Sequence, residues 1–188
     1  MGKIKIGILV GSLRKASFCR KIAKTLVSLA SDNLEFKFIE LRDMEMYDQD
    51  LEDEDRVPDS WVKFRMEVEQ TDAVIFVTPE YNRGVPAVLK NAIDIGSRPY
   101  GSSVWDGKPG AVVSVSPGAM GAFGANHMLR QSFVFLNIHV MQQPEAYIGN
   151  VMSLYDENDK ITDDDTQVFL KSIIDSFEEW IKIVSPAV

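Results

Sequence analysis

The chain alternates short apolar segments with longer amphipathic ones, and this order constrains its fold more than any other feature of the sequence. Apolar residues fill the run from Ile4 to Val10, and a comparable run covers 73–77. Between such runs apolar residues recur at helical spacing, as they do over 17–30. Short continuous apolar runs are typical of buried strands, and a period near 3.6 is typical of amphipathic helices. The predicted order is therefore β-α-β-α-β-α-β-α-β-α.

This alternation predicts an α/β fold with a parallel sheet and helices on both faces, a three-layer sandwich. Five strands favour the flavodoxin-like order 2-1-3-4-5 over the six-stranded dinucleotide-binding order. With 188 residues and neither a repeat nor a linker, the chain is predicted to form one domain over 1–188. The predicted strands are 4–10, 34–39, 73–77, 110–115 and 138–141, and the predicted helices are 17–30, 58–70, 86–95, 123–136 and 163–183.

The net charge of −8 is unevenly distributed along the chain. Seven acidic residues lie within 48–59 and six within 156–165, and the remainder carries a small positive charge. We interpret both windows as solvated segments, because neither has the spacing of a calcium-binding loop. A negative net charge without a basic cluster argues against nucleic acid and anionic membranes as partners.

One cysteine, Cys19, excludes an intrachain disulfide and fits a reducing compartment. The apolar run 6–10 is shorter than a secretory signal needs, and no run reaches the ~20 residues of a membrane span. We therefore expect a cytoplasmic protein. The two histidines, His127 and His139, form no zinc-binding motif with the cysteine, so no metal site is predicted.

Three polar, glycine-containing loops follow the first, third and fourth predicted strands. They cover 11–17, 78–84 and 116–124. In open α/β sheets, ligands bind outside the carboxyl ends of the strands where the strand order reverses, which here is between strands 1 and 3. The sequence therefore predicts a ligand site formed by these three loops.

The first loop has the features of a phosphate site. It leads into a helix N-terminus, whose amide groups and dipole favour an anion. Ser12 and Ser17 add hydroxyl groups, and Arg14 adds a forked cation. The nucleoside triphosphate and pyrophosphate fingerprints are both missing, so a terminal phosphate monoester fits best. The alternative is an ordinary strand-to-helix turn.

Cys19 is predicted to lie in the first helical turn after this loop, which allows two interpretations. A helix N-terminus lowers the pKa of a thiol and makes it reactive. We favour the other interpretation, a small packing residue.

The second loop, Thr78 to Pro86, contains two prolines and one glycine that restrict its backbone. Tyr81 and its polar neighbours Glu80 and Asn82 form a wall that suits a flat heteroaromatic ring. The alternative is a rigid turn in which Tyr81 packs on a neighbour.

The two loops together resemble the NADPH-dependent FMN reductase family, and most closely its NAD(P)H quinone and chromate reductase branch. The resemblance covers about residues 4–150. It rests on Gly11-Ser12-x-Arg14-x-x-Ser17 combined with Pro79-Glu80-Tyr81-Asn82-x-x-Val85-Pro86-x-x-Leu89-Lys90-Asn91-Ala92-x-Asp94.

The resemblance implies a non-covalently bound FMN. Its phosphate is expected on Ser12, Arg14, Ser17 and the amides of Phe18 and Cys19. Its isoalloxazine ring is expected along Pro79, Glu80, Tyr81 and Asn82, with Ser116, Pro117 and Gly118 at the pyrimidine side. Two departures from the family pattern are Cys19, where asparagine is common, and Ala122, where a second glycine is common.

The resemblance also implies a ping-pong reaction in which NAD(P)H and then an acceptor use the same flavin face. The expected acceptors are small molecules: quinones, free flavin, azo compounds or chromate. Tyr81 and Arg83 are the candidate substrate contacts, and no catalytic acid or base is assigned. The alternative is a flavodoxin-type electron carrier that holds FMN without turning over NAD(P)H.

A homodimer or homotetramer is expected from the same resemblance. The apolar contacts are expected from 86–96, from 97–108 with Tyr100 and Trp105, and from 123–136.

Overall fold

A parallel β-sheet forms the centre of the structure, a computed structural model that describes residues 2–185. The strand order is 2-1-3-4-5, and each neighbouring pair is parallel. This confirms the flavodoxin-like order predicted from the alternation. The strands are β1 (Ile4–Val10), β2 (Leu34–Ile39), β3 (Ala73–Thr78), β4 (Pro109–Val115), β5 (His139–Val140) and β6 (Ala146–Ile148).

Two short strands share the fifth position of the sheet. β5 pairs with the beginning of β4 at Pro109 and Gly110, and β6 pairs with its end at 113–115. The predicted strand 138–141 is therefore only the first half of this edge, and the second half was missed. Between the halves, Pro144 has no backbone N–H to donate to a ladder, which is consistent with the break.

Residues 2–185 form six α-helices, and five of them were predicted to within two residues at each end. The side chains of Ser17 and Asp163 cap the first and last of these helices by accepting from the backbone amides of Arg20 and Thr166. Between residues 2 and 185, no helix has both the length and the apolar character to cross a membrane. The helices are α1 (Phe18–Leu29), α2 (Gln49–Asp53), α3 (Asp59–Glu69), α4 (Ala87–Gly96), α5 (Phe123–Phe135) and α6 (Asp164–Val184).

The helices cover both faces of the sheet. Alternate residues of β1, including Ile6 and Ile8, pack in one core with α1 and α6. Leu9 faces the opposite core, to which α3, α4 and α5 contribute. Strands buried on both faces need apolar residues at nearly every position, which explains the continuous apolar runs in the sequence.

The acidic segment 48–59 is not wholly solvated, contrary to its interpretation above. It contains α2, and the side chain of Glu52 is only 8% exposed. Its carboxylate forms ion pairs with Arg65 of α3 and with Arg98, which follows α4. A carboxylate this well buried needs such partners, so Glu52 joins three helical segments instead of facing water.

Candidate functional site

The first and second loops meet at the carboxyl edge of the sheet because β1 and β3 are neighbours. The amide of Gly11 donates to the carbonyl of Val77 over 2.9 Å. A Cβ atom at Gly11 would lie 2.5 Å from Leu89 Cδ1 and 3.1 Å from Pro79 Cδ. A larger residue would have to displace the Leu89 side chain, so glycine allows the predicted phosphate loop to lie close against the predicted ring-binding loop.

The first loop collects the groups that a phosphate monoester requires. Ser12 and Ser17 are buried, and Arg14 is exposed in the same loop. The Ser17 oxygen accepts from the backbone amide of Arg20 at 3.2 Å, so this side chain also caps the N-terminus of α1. No acidic residue lies in the first turn of α1. These residues fit the FMN phosphate.

Further cations surround this loop, which the sequence analysis did not anticipate. Arg42, just after β2, donates a hydrogen bond to the carbonyl of Leu13. Arg20 lies 3.5 Å from Glu40, so its charge is partly balanced. These cations could have been inferred from the predicted strand order. Because β2 borders β1, the residues after Ile39 lie beside the first loop.

The Cys19 side chain packs in the core formed with α1 and α6. Burial raises the pKa of its thiol from 9.0 to about 12, which outweighs the smaller lowering by hydrogen bonds to its own backbone and to Ser17. The thiol is therefore protonated and unreactive at neutral pH. This supports the packing interpretation and leaves only the backbone amide of Cys19 for a ligand.

The second loop is built around a two-residue turn. The amides and carbonyls of Tyr81 and Gly84 bond to each other over 3.0–3.1 Å. Between them Asn82 and Arg83 have φ angles of 52° and 65°. Asparagine tolerates this left-handed region, whereas arginine rarely occupies it. The turn fixes the backbone under Tyr81, whose side chain is 48% exposed and available to a ligand.

Glu80 has a different role from the polar flank that the sequence suggested. Its carboxylate accepts from the amide of Ala125 at 3.0 Å, in the first turn of α5. The residue preceding that helix, Ala122, has a φ of 61° and supplies no side-chain cap. The Glu80 side chain therefore caps α5 and interacts favourably with its dipole, and only its backbone remains for a ring.

Arg83 projects from the turn into solvent. Its side chain is 86% exposed, and one guanidinium nitrogen lies 3.5 Å from a Glu80 oxygen. A 3.5 Å pair whose cation is this exposed is weak, so the Arg83 guanidinium is available to an anionic substrate. Its substrate-binding role stays a prediction.

The third loop is held by hydrogen bonds to the segment after β6. The Ser116 oxygen accepts from the amide of Gly118 at 3.0 Å, and the Gly118 carbonyl accepts from Asn150 at 3.3 Å. Gly118 and Pro117 are exposed. The loop therefore presents these residues at the same edge as the first two loops, since β4 neighbours β3.

A buried polar group beneath this loop was not foreseen. The hydroxyl of Ser114 donates to the carbonyl of Gly121 at 2.7 Å, and it accepts from the side-chain Nδ2 of Asn126 at 3.1 Å. A Cβ atom at Gly121 would lie 2.6 Å from the Tyr147 carbonyl carbon. These contacts position the loop from below, and they join residues too distant in sequence to form a motif.

Similarity to known proteins shows the family of this chain. The NADPH-dependent FMN reductase family matches residues 4–153, about four-fifths of the chain. The chain belongs to that family. The C-terminal helix α6 of this FMN reductase lies outside the residues that the family matches.

Individual relatives are similar over nearly their whole length. A quinone reductase of Pseudomonas putida is 54% identical over 178 residues, which is 95% of each chain. A 2-hydroxy-1,4-benzoquinone reductase of a Burkholderia species is 40% identical and covers 95% of this chain and 97% of its own. The solved structure of FerB, a flavoenzyme NAD(P)H:(acceptor) oxidoreductase from Paracoccus denitrificans, superposes with a TM-score of 0.88 at 39% identity. That superposition covers 95% of this chain and 97% of FerB.

Family membership establishes the reaction class. This FMN reductase is an oxidoreductase enzyme that uses FMN with NAD(P)H as co-substrate. In the part of the chain that the structure describes, no three His, Cys, Asp or Glu side chains are grouped to hold a metal ion.

Proposed function

We propose that this enzyme reduces quinones in a ping-pong reaction, in which NAD(P)H and the quinone occupy the same open face in turn. The overall change is quinone plus NAD(P)H plus a proton to hydroquinone plus NAD(P)⁺. One observation carries the proposal: an open cavity at the sheet edge is lined by Arg14 of the phosphate loop and by Tyr81 of the ring loop, so a second ring would have room beside a cofactor held by these loops. Relatives that are named quinone reductases add support.

The binding roles follow from the contacts described above. Ser12, Ser17 and Arg14 would hold the FMN phosphate together with the amides of Phe18 and Cys19. The isoalloxazine ring would lie along the backbone of 79–82, and 116–118 would close its pyrimidine side. The chemistry supplied by bound FMN is two-electron transfer from NAD(P)H to the acceptor.

The side chains of the second loop would position the reactants and would not act as a catalytic acid or base. The bonded turn 81–84 holds Tyr81 at the edge of the site, and Glu80 fixes that turn to α5. Arg83 would attract an anionic acceptor or the coenzyme phosphate. Holding two reactants in contact and correctly oriented is a large part of the rate enhancement that such a site can give.

The test of the function is a pair of measurements on purified, FMN-loaded protein. Mixing with NADPH or NADH in a stopped-flow spectrometer is expected to bleach the flavin absorbance within seconds. Adding 1,4-naphthoquinone should restore the flavin absorbance. In steady state, double-reciprocal plots of initial rate against coenzyme concentration should be parallel at different quinone concentrations. An absorbance that persists with both coenzymes would contradict the enzyme and favour an electron carrier. Free flavin, an azo dye and chromate are the further acceptors for the same assay.

We also propose that the enzyme assembles as a homodimer or homotetramer. Large apolar side chains are exposed on α5 and just after α4, including Val134, Phe135 and Tyr100. Trp105, expected at this interface, is instead fully buried and donates to the carbonyl of Ile93. Light scattering is expected to give two or four times the chain mass of 21.1 kDa, and a single-chain mass would refute the assembly.

A cytoplasmic location is part of the same proposal. It is supported by the single, buried cysteine, which fits a reducing compartment. Fractionation of the producing cell would test it, since recovery outside the cytoplasm would contradict it.

A further inference from the structure

A cavity of about 580 Å³ lies beside the first loop, and its volume is typical of small-molecule sites. Its walls come from the first loop, from the segment 41–46 that follows β2, and from the beginning of α4. Most of this lining is apolar and would suit a ring system. The apolar lining residues are Leu13, Leu41, Met44, Met46, Pro86 and Val88.

The charged groups in this cavity are both cations. Arg14 and Arg42 line it, and no Asp or Glu does so. The nearby carboxylate of Glu40 lies outside the lining, where it pairs with Arg20 and accepts from the amides of 41 and 42. Within residues 2–185, neither Arg14 nor Arg42 takes part in an ion pair. The cavity therefore combines an apolar wall with unpaired positive charge.

The wall formed by the segment 44–47 is anchored to α4. The Asn91 side chain accepts from the amide of Tyr47 at 2.8 Å and donates to the carbonyl of Glu45 at 3.0 Å. The backbone is thus held, and Met44 packs partly against the core, whereas the side chain of Met46 is 68% exposed and free to adapt because methionine is unbranched and flexible. Such a wall accommodates rings of different shape.

The two arginines differ in their position. Arg14 belongs to the loop that would hold the FMN phosphate, and that anion would engage its charge. Arg42 lies outside the loop, and its bond to the Leu13 carbonyl uses only one of several N–H groups. The remaining donors of Arg42 are therefore the positive groups left for a second ligand.

We propose that this cavity binds the ring of the electron acceptor, and that Arg42 selects acceptors with an anionic oxygen, namely ionised hydroxyquinones. The ring would lie against the methionine wall and Tyr81, next to the proposed cofactor. The anionic oxygen would accept from the Arg42 guanidinium. The inference rests on the proposed quinone reductase function and concerns binding of the acceptor.

The kinetic test compares 2-hydroxy-1,4-naphthoquinone, which is anionic at neutral pH, with neutral 1,4-naphthoquinone. Arg42→Gln is expected to raise KM for the anionic quinone about 10-fold or more, because this is the effect of losing one hydrogen bond to a charged group. KM for the neutral quinone should rise much less than KM for the anionic one, with FMN kept saturating because Arg42 also donates to the Leu13 carbonyl of the first loop. Arg42→Lys should recover part of the loss because it keeps the charge. The control is Arg56→Gln, an exposed arginine that pairs with Glu54 away from this cavity.

A binding measurement separates this inference from the proposed function. Calorimetry would follow 1-hydroxy-2-naphthoate, a non-reducible aromatic anion, as it binds the FMN-loaded wild type and Arg42→Gln. Weaker binding to the variant, with no such effect for neutral 2-naphthol, supports the cavity even if no quinone is reduced. Equal binding to both proteins, or equal effects of Arg42→Gln on the two quinones, would overturn it.

Discussion

Replacing Arg14 by alanine is expected to raise the dissociation constant for FMN about 10- to 100-fold. Arg14 belongs to the same short loop as the buried serines Ser12 and Ser17, and this loop leads into the N-terminus of α1. A hydrogen bond to a charged group contributes about 1.5–3 kcal/mol, and about 1.4 kcal/mol is a factor of ten. Because Arg14 is exposed and has no ion-pair partner in the described chain, its removal should leave the fold intact. Titration of the apoprotein with FMN, followed by quenching of flavin fluorescence, measures the effect.

Lys15 provides the matched control for this measurement. It is the adjacent exposed cation, and it lies outside the Gly-Ser-x-Arg-x-x-Ser pattern. Lys15→Ala changes the net charge by the same amount. Any difference in FMN affinity between the two variants therefore measures the contact of the Arg14 guanidinium with the phosphate and not the effect of net charge. We expect its FMN affinity to change by no more than about 3-fold, as for a screened surface charge. Equal losses in the two variants would mean that Arg14 does not contact the phosphate.

The position of the site was predictable because it depends on the order of elements. The apolar runs at 4–10 and 73–77 and the helices between them are local signals. From them the sheet order and the three loops follow by general rules. The N-cap at Ser17 was predictable for the same reason, since capping is decided within four residues.

The contacts that sequence reasoning missed connect distant parts of the chain. Arg42 reaches the first loop across a strand pair, and Glu80 caps a helix that begins more than 40 residues later. Neither periodicity nor a sequence motif indicates such contacts. The contact of Arg42 with the first loop could still have been inferred from the strand order, because β2 borders β1. The split of the fifth strand was missed because β5 and β6 contribute only two and three residues to pairing. Segments that short carry too little pattern to distinguish a strand from a loop.

The acidic segment 48–59 illustrates the limit of reasoning from charge alone. Its seven acids are indistinguishable in the sequence, yet one of them is buried between two arginines. Glu52 accepts from Arg65, whose own Nε donates to the carbonyl of Ile95 at 2.9 Å and whose guanidinium lies over the ring of Trp61. The residue is therefore part of the packing of α2 against α3 and α4. This difference between neighbouring acids leads to a prediction about stability.

Glu52→Ala is expected to lower the free energy of unfolding by about 3 kcal/mol. The substitution leaves Arg65, which is 13% exposed, and Arg98 without a counter-charge, and removing one partner of a buried ion pair typically costs about 3–5 kcal/mol. We take the lower end because Arg98 retains contact with water. Glu54→Ala is the control from the same segment, since Glu54 and its partner Arg56 are both largely exposed. That variant should lose no more than about 1 kcal/mol. Urea unfolding of both variants at saturating FMN measures the difference, and equal midpoints would show that burial of Glu52 contributes nothing to stability.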